Sequence, residues 1–241
     1  MNYRKIIYDH YLSFSTVDIE QQSSHLILRG PYFKSIIQRW FPLDRSAKIL
    51  EIGCGAGGLI YYAQGAGYLN MFGVDTSPQQ VETAQKLGVQ QVQCADLMEF
   101  LISFKEESLD MIIALDVLEH FNKEETCKLI DQIMRVLKPQ GDFLLHVPNG
   151  ESPFFGAIAY GDYTHEQFFT SKSICQLMHA FGFSSVNCFE DSPIPHGLKS
   201  QLRAWAWILI RLGLGLITII ETGSSRQAIF SRNVFALSRK P

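Results

Sequence analysis

The chain predicts a doubly wound α/β fold, Rossmann-like, with a seven-stranded mixed sheet in a single domain. Three observations lead there. From Lys48 onward, short apolar runs alternate with segments of helical period, the order that produces a mostly parallel sheet covered on both faces. The first run, Ile49-Leu50-Glu51-Ile52, passes directly into Gly53-Cys54-Gly55-Ala56-Gly57-Gly58. In such a turn glycine permits positive φ and lets a ligand approach the backbone closely. Two later strands end in carboxylates, Asp75 and Asp116, on the edge where open sheets bind ligands.

Residues 1–45 read as an N-terminal helical cap, and 46–241 as the ligand-binding domain. Within the cap, Leu26, Ile27, Phe33, Ile36, Ile37 and Trp40 follow helical spacing, with a break expected at Gly30-Pro31. Strands are expected at about 48–52, 70–75, 90–94, 110–115, 141–147, 184–190 and 229–238. Helices fit at about 57–66, 77–87, 123–137 and 171–181. Thr76-Ser77-Pro78 caps the second of these, with proline in the first turn, where its missing N–H costs little.

The 241 residues, 46% of them hydrophobic, suffice for one sizeable core. A formal charge of −3 argues against a general nucleic-acid partner. Five cysteines, odd in number and without C-x-x-C spacing, suit a reduced, cytoplasmic protein without structural zinc. The first residues, MNYRKIIYDHYLSF, hold no secretory apolar core.

An apolar helical insertion is expected over 196–226, centred on Ala204 to Ile220. The 17-residue run AWAWILIRLGLGLITII is short of the ~20 residues that span a bilayer, and it carries Arg211 near its middle. Lys199, Arg203, Arg211, Thr218 and Glu221 fall near one stripe, with Trp205, Ile208, Leu209, Leu212, Leu216 and Ile219 opposite. That layout suits a helix lying in a membrane interface, a helix in the core, or a homodimer contact. Arg226 and Arg232, beyond it, add positive charge for anionic lipid.

The glycine turn fits two patterns. Gly53, Gly55 and Gly58 satisfy G-x-G-x-x-G, while Glu51 with Gly53, Gly55 and Gly57 gives E-x-G-x-G-x-G. Asp75, closing Met71-Phe72-Gly73-Val74-Asp75, can accept from both hydroxyls of a ribose in either case. Further on come Cys94-Ala95-Asp96-Leu97, the strand ending Leu115-Asp116, and the helix-end and turn sequence Arg135-Val136-Leu137-Lys138-Pro139-Gln140-Gly141-Asp142. In this order the set, over about 46–190, resembles the class I S-adenosylmethionine (SAM) methyltransferases. The resemblance implies SAM as cofactor, leaving as S-adenosylhomocysteine. It places Gly53, Cys54, Gly55, Ala56 and Gly57 beneath the cofactor, Glu51 at its amino-acid end and Asp75 with Thr76 at the ribose. Asp96 and Leu97 would bracket adenine, and Leu115 and Asp116 would line the sulfonium side.

For the acceptor, the loop Pro148 to Thr170, PNGESPFFGAIAYGDYTHEQFFT, gathers Gly, Pro, Asp, His, Glu and Tyr where a packed element needs none of them. With the later HAFGF it resembles methyltransferases of bacterial surface-polysaccharide and O-antigen biosynthesis. That implies a glycan acceptor, and the membrane-interface reading of the apolar helix would place a cytoplasmic protein on the inner membrane face, suiting an acceptor carried on a lipid. His165 is expected as general base or acceptor-orienting residue, with His120 as second candidate. His146, Tyr160, Asp162, Tyr163 and Glu166 are expected around the acceptor. Asp116, Glu119 and His120 are also similar to the metal-binding cluster of ubiquinone-pathway O-methyltransferases. No fourth ligand is identifiable, so no metal is expected.

Overall fold

A computed structural model describes residues 19–223 and 228–241, and before them only Ile7. Most of the expected cap up to residue 18, and Arg226, therefore lie outside the described residues. Helix α1 (Ile19–Trp40) precedes β1 (Ile49–Ile52), α2 (Gly58–Gly65), β2 (Met71–Asp75), α3 (Pro78–Lys86) and β3 (Val92–Cys94). Next come α4 (Leu97–Ile102), β4 (Leu109–Leu115), a 3-10 turn (Leu118–His120), α5 (Lys123–Val136) and β5 (Leu137–Pro148). The remainder is α6 (Phe155–Ala159), α7 (Ser171–Ala180), β6 (Ser185–Glu190), α8 (Leu198–Thr222) and β7 (Asn233–Arg239).

The strands form one seven-stranded sheet in the order β3-β2-β1-β4-β5-β7-β6. β1 to β5 run parallel, and β7 lies antiparallel between β5 and β6. Strand order reverses between β1 and β4, which places a ligand crevice beyond their carboxyl ends. Side chains alternate across the sheet. Leu50 and Ile52 enter the core under α5 and α7, while Ile49 enters the core under α1 and α2. Glu51 shares the α1 face with Ile49, which brings a carboxylate to the cleft rather than into the opposite core.

The local signals act where expected. Ser77 Oγ accepts from the Gln80 N–H with Pro78 in the first turn, and Asn122 with Glu125 forms a reciprocal capping box on α5. Four expectations change. α1 runs unbroken through Pro31, because Phe33, Ile36 and Ile37 bury a continuous face and tertiary packing outweighs one missing hydrogen bond. β5 begins at Leu137 and so takes in Lys138-Pro139-Gln140-Gly141, with a register irregularity between Leu109 and Met111. The short helices α4 and α6 stand where no helix was expected, since five or six residues carry too little period to read.

The fourth change is α8. It is a single helix of 25 residues, its apolar window lies entirely outside the core, and the core reading of the segment fails. Its inward stripe is Ser200, Ala204, Trp207, Leu214 and Thr218, with Arg211 Nε 2.9 Å from Glu190 Oε2. Trp205, Leu209, Leu212, Leu216 and Ile217 face outward. Among the described residues it is the one helix long and apolar enough to cross a membrane.

Candidate active site

Beyond β1 and β4 lies an open cavity of about 260 Å³. Glu51, Gly53, Cys54, Gly55 and Ala56 line its floor, Leu115 and Asp116 one side, and Leu26, Arg29 and Phe33 of α1 the roof. Gly53, Gly55 and Gly57 have φ of 67°, 51° and 71°, a region that penalises any side chain. Asp75 fixes this turn. One of its oxygens accepts the Gly55 N–H at 2.8 Å and the other the Ser77 N–H at 2.8 Å. Burial still raises the Asp75 pKa against those two bonds.

Glu51 is 4% exposed, and its Oε2 has no hydrogen-bond partner. Burial, then the charge of Asp75, pushes its pKa up to about 8. A buried carboxylate oxygen at the cavity floor is a polar demand that a ligand's donor satisfies. The Cys54 thiol is pushed up, first by burial and then by Glu51. Arg29 supplies positive charge toward both Glu51 and Asp116.

The sequence-expected donor residues are not all gathered in this cavity. Thr76 is exposed, with its carbonyl taking the Cys94 thiol. Asp96 caps α4, accepting from Met98 and Glu99 N–H, and Leu97 points into the core. Leu97 is therefore spent on packing, because the first turn of α4 directs it beneath the sheet. Arg29, Tyr32 and Phe33 were missed as site residues. The signal was available: Arg29 interrupts the Leu26–Phe33–Ile36 apolar stripe of α1, where a charge needs a reason.

Beside Asp116 a buried polar chain leaves the cavity. Asp116 has φ 57°, an uncommon strain for a residue with a side chain. Its Oδ1 lies 2.8 Å from His146 Nδ1, and His146 Nε2 lies 3.4 Å from both Asp191 Oδ2 and the Tyr32 hydroxyl. Burial opposes the charge on His146, but the two aspartates outweigh it and hold its pKa up at about 10. In return, burial of Asp116 is overcome by His146 and its pKa falls. Tyr32 and Asp191 also line a second crevice, of about 290 Å³, with His196, Ser200 and Arg203 at the root of α8.

A third group joins the 3-10 turn to the loop after β5. The Glu119 carbonyl accepts the Glu166 and Gln167 N–H groups at 2.7 and 3.1 Å, so loop and turn are clamped backbone to backbone. The His120 and His165 rings meet edge to face at 4.9 Å. Thr164 Oγ1 gives its hydrogen to Asp162 Oδ1 and lies 2.8 Å from His120 Nδ1. The loop is anchored by Asn149, whose amide donates to the carbonyls of Ile229 and Ser231. His120 has a lowered pKa, through burial and then the neighbouring His165. Burial, then Asp116, raises Glu119 to about 8. Tyr160 and Tyr163 are 76% and 83% exposed, and they line neither cavity, nor do His120, Asp162, His165 and Glu166. Asp116, which the sequence grouped with Glu119 and His120, turns its Oδ1 to His146 instead.

Comparison with known proteins agrees with this architecture. A family model described as a methyltransferase domain matches residues 25–187. The mouse protein named "Probable tRNA methyltransferase 9B" is 27% identical over 142 residues, 54% of this chain and 30% of its own length. Cyclopropane-fatty-acyl-phospholipid synthase of Escherichia coli K12 is 30% identical over 106 residues, 43% of this chain and 27% of its own. The chain thus spans less than a third of either relative. A SAM-dependent methyltransferase from Archaeoglobus fulgidus superposes with a TM-score of 0.67 at 18% identity, over 88% of this chain and 94% of that one, a likeness of fold. With the model covering residues 25–187, from α1 into β6, the chain belongs to the methyltransferase-domain family.

Proposed function

We propose that the protein is a SAM-dependent methyltransferase that O-methylates a sugar hydroxyl of a surface glycan or its lipid-linked precursor. The observation that carries the donor half is the unpartnered, buried Glu51 oxygen on the floor of a glycine-turn cavity. It fits a cofactor that ends in an ammonium group. SAM supplies there a methyl group already activated on a sulfonium sulfur. The chain's part is to hold, orient and exclude water, and positioning of this kind carries most of the rate. Glu51 binds the amino-acid end, Gly53 to Gly57 lie beneath the cofactor, Asp75 accepts from the ribose, and Asp116 and Leu115 border the reacting methyl. Asp96 remains the adenine-side carboxylate, and Thr76 stays with Asp75 on the ribose side.

On the acceptor side, the hydroxyl oxygen forms its bond to the methyl carbon as the carbon–sulfur bond breaks, and the electron pair stays on sulfur. The hydroxyl's proton must leave. We assign its orientation and release to the His165–His120 pair, supported by Asp162 through Thr164. His146 is the inner wall between Asp116 and the second crevice, and Tyr160, Tyr163 and Glu166 form the exposed rim of the acceptor loop.

α8 suits docking in the inner membrane face. Its outward side is apolar along its length, and Lys199 and Arg203 stand exposed at its start for anionic headgroups. The same surface favours a second acceptor, a quinone-like lipid, and one curated relative is by name an enzyme of fatty-acyl phospholipids. The other is by name a tRNA enzyme, which the −3 charge of this chain does not favour.

Calorimetry with SAM and with NAD is the first test. Saturable SAM binding that weakens at least tenfold in Asp75→Ala supports the donor site, and NAD binding overturns it. Methyl transfer to extracted lipid-linked glycans then separates an enzyme from a SAM-binding assembly partner without turnover. His165→Ala and His120→Ala, both with undiminished turnover at saturating SAM, would remove these residues from the reaction.

A further inference from the structure

We propose that Glu119, His120 and His165 form a binding site for one divalent transition-metal ion, of the Zn²⁺, Mn²⁺, Fe²⁺ or Co²⁺ class, on the acceptor side of Asp116. One donor atom from each of the three lies within 4.8 Å of the other two. Donors on a tetrahedral cation with ~2.0–2.1 Å bonds stand about 3.3 Å apart, so modest side-chain rotation closes the set.

Hydrogen bonds around the two imidazoles set their tautomers. His165 Nδ1 lies 3.1 Å from the Ala159 carbonyl, an oxygen that can only accept, so the ring's hydrogen sits on Nδ1. Thr164 has one hydroxyl hydrogen and gives it to Asp162, so His120 Nδ1 must donate to Thr164 Oγ1. Both rings therefore carry their lone pair on Nε2, with Nδ1 held by an outer partner, the arrangement that orients metal-binding histidines. The third ligand is independent evidence. Glu119 is 1% exposed, and its Oε2 has no partner among the described residues. A buried carboxyl oxygen so placed lacks the partner that buried polar groups take, and a cation would supply it as the carboxyl gives up its proton. The backbone clamp from Glu119 to Glu166 and Gln167 keeps all three residues on one rigid unit. Two imidazoles and one carboxylate select a borderline cation over Mg²⁺ or Ca²⁺, which take oxygen ligands.

The site's existence does not depend on the proposed reaction. Its role does: a cation there, with positions left for other ligands, would take the acceptor's hydroxyl oxygen and raise its acidity. His120 and His165 would then act by holding the cation, and the proton would pass to water.

The test is a Co²⁺ titration of the chelator-stripped full chain, read by visible absorption. One saturating equivalent is expected, without a thiolate charge-transfer band, because the five cysteines stand elsewhere. His165→Ala and Glu119→Gln should abolish that equivalent. Thr164→Val, a milder change, should weaken it about 10–100-fold by releasing the His120 tautomer. Circular dichroism and SAM calorimetry on each variant verify folding. Absence of saturable binding, a thiolate band, or equal binding by Thr164→Val and His165→Ala overturns the site. SAM binding without Co²⁺ binding would sink this inference alone, and Co²⁺ binding without SAM binding would sink the methyltransferase reading alone.

Discussion

Asp116 borders the donor cleft and lies within electrostatic reach of the acceptor cluster, and the two are assembled differently. The cleft floor is one continuous stretch, Glu51 to Gly58, tied down by Asp75 only 20 residues from Gly55. The acceptor cluster joins His120 to Thr164 across 44 residues, and its loop is anchored by Asn149 to a carbonyl 80 residues away. A cleft built from near neighbours tolerates change elsewhere in the chain. A cluster built from distant pieces depends on the whole C-terminal half being in place.

The wall shared by the two regions should give the largest effect. His146→Leu removes a buried imidazole from between Asp116 and Asp191 and should cost about 2–3 kcal/mol. That is less than for a fully buried pair, because the Asp116 side chain is half exposed. Denaturant melts across pH supply the sign. The folded pKa of about 10 exceeds the 6.5 of an ordinary imidazole, so the His146 contribution is complete below about pH 6.5 and is lost as pH rises toward 10. The stability gap between wild type and His146→Leu should narrow over that window, and a gap that stays constant across it would show that His146 is neutral.

Gly53→Ala attacks the cleft alone. A Cβ there would stand 2.5 Å from Val117 Cγ2 at φ 67°. Left-handed strain alone is ~1–2 kcal/mol, so a stability loss of about 2 kcal/mol is expected, with SAM affinity down at least tenfold. Co²⁺ binding at Glu119, His120 and His165 should persist. Loss of both would mean that the two regions are not separable.

Asn149→Ala makes the converse cut. It leaves the buried Ile229 and Ser231 carbonyls without their donor, at about 1–3 kcal/mol. Calorimetry should show SAM affinity within twofold of wild type while Co²⁺ affinity falls. The smallest stability effect should come from Leu209→Glu with Ile217→Glu on the outer side of α8, within about 0.5 kcal/mol. Yet flotation on anionic liposomes, expected for wild type, should vanish. If wild type stays with the soluble fraction and runs as a dimer that the double variant splits, the outer face is a contact between copies.

The strands, their alternation with helices and the glycine turn were readable because each is a short-range pattern. Alternation, a cap such as Ser77-Pro78, and a carboxylate closing β2 all act within a few residues. The expectation of a helix break at Gly30-Pro31 came from the same local logic and did not hold, since Phe33, Ile36 and Ile37 pack along a continuous α1. Leu97 was read as a ligand contact, and it is core, because a motif names a position but not the direction of its side chain.

By itself, then, the sequence determined the doubly wound class, the position of the cleft, and the residues of the turn that floors it. It also held the apolar run of α8, but not which side of it meets the protein. Only the tertiary structure decided that Arg211 pairs inward with Glu190 while the apolar side faces out. Only the tertiary structure brought Arg29 over Glu51, His146 between two aspartates, and Glu119 with His120 against His165. The physical reason is range. Backbone preference and periodicity are set by neighbours in the chain, whereas charge pairing and ligand geometry are set by neighbours in space.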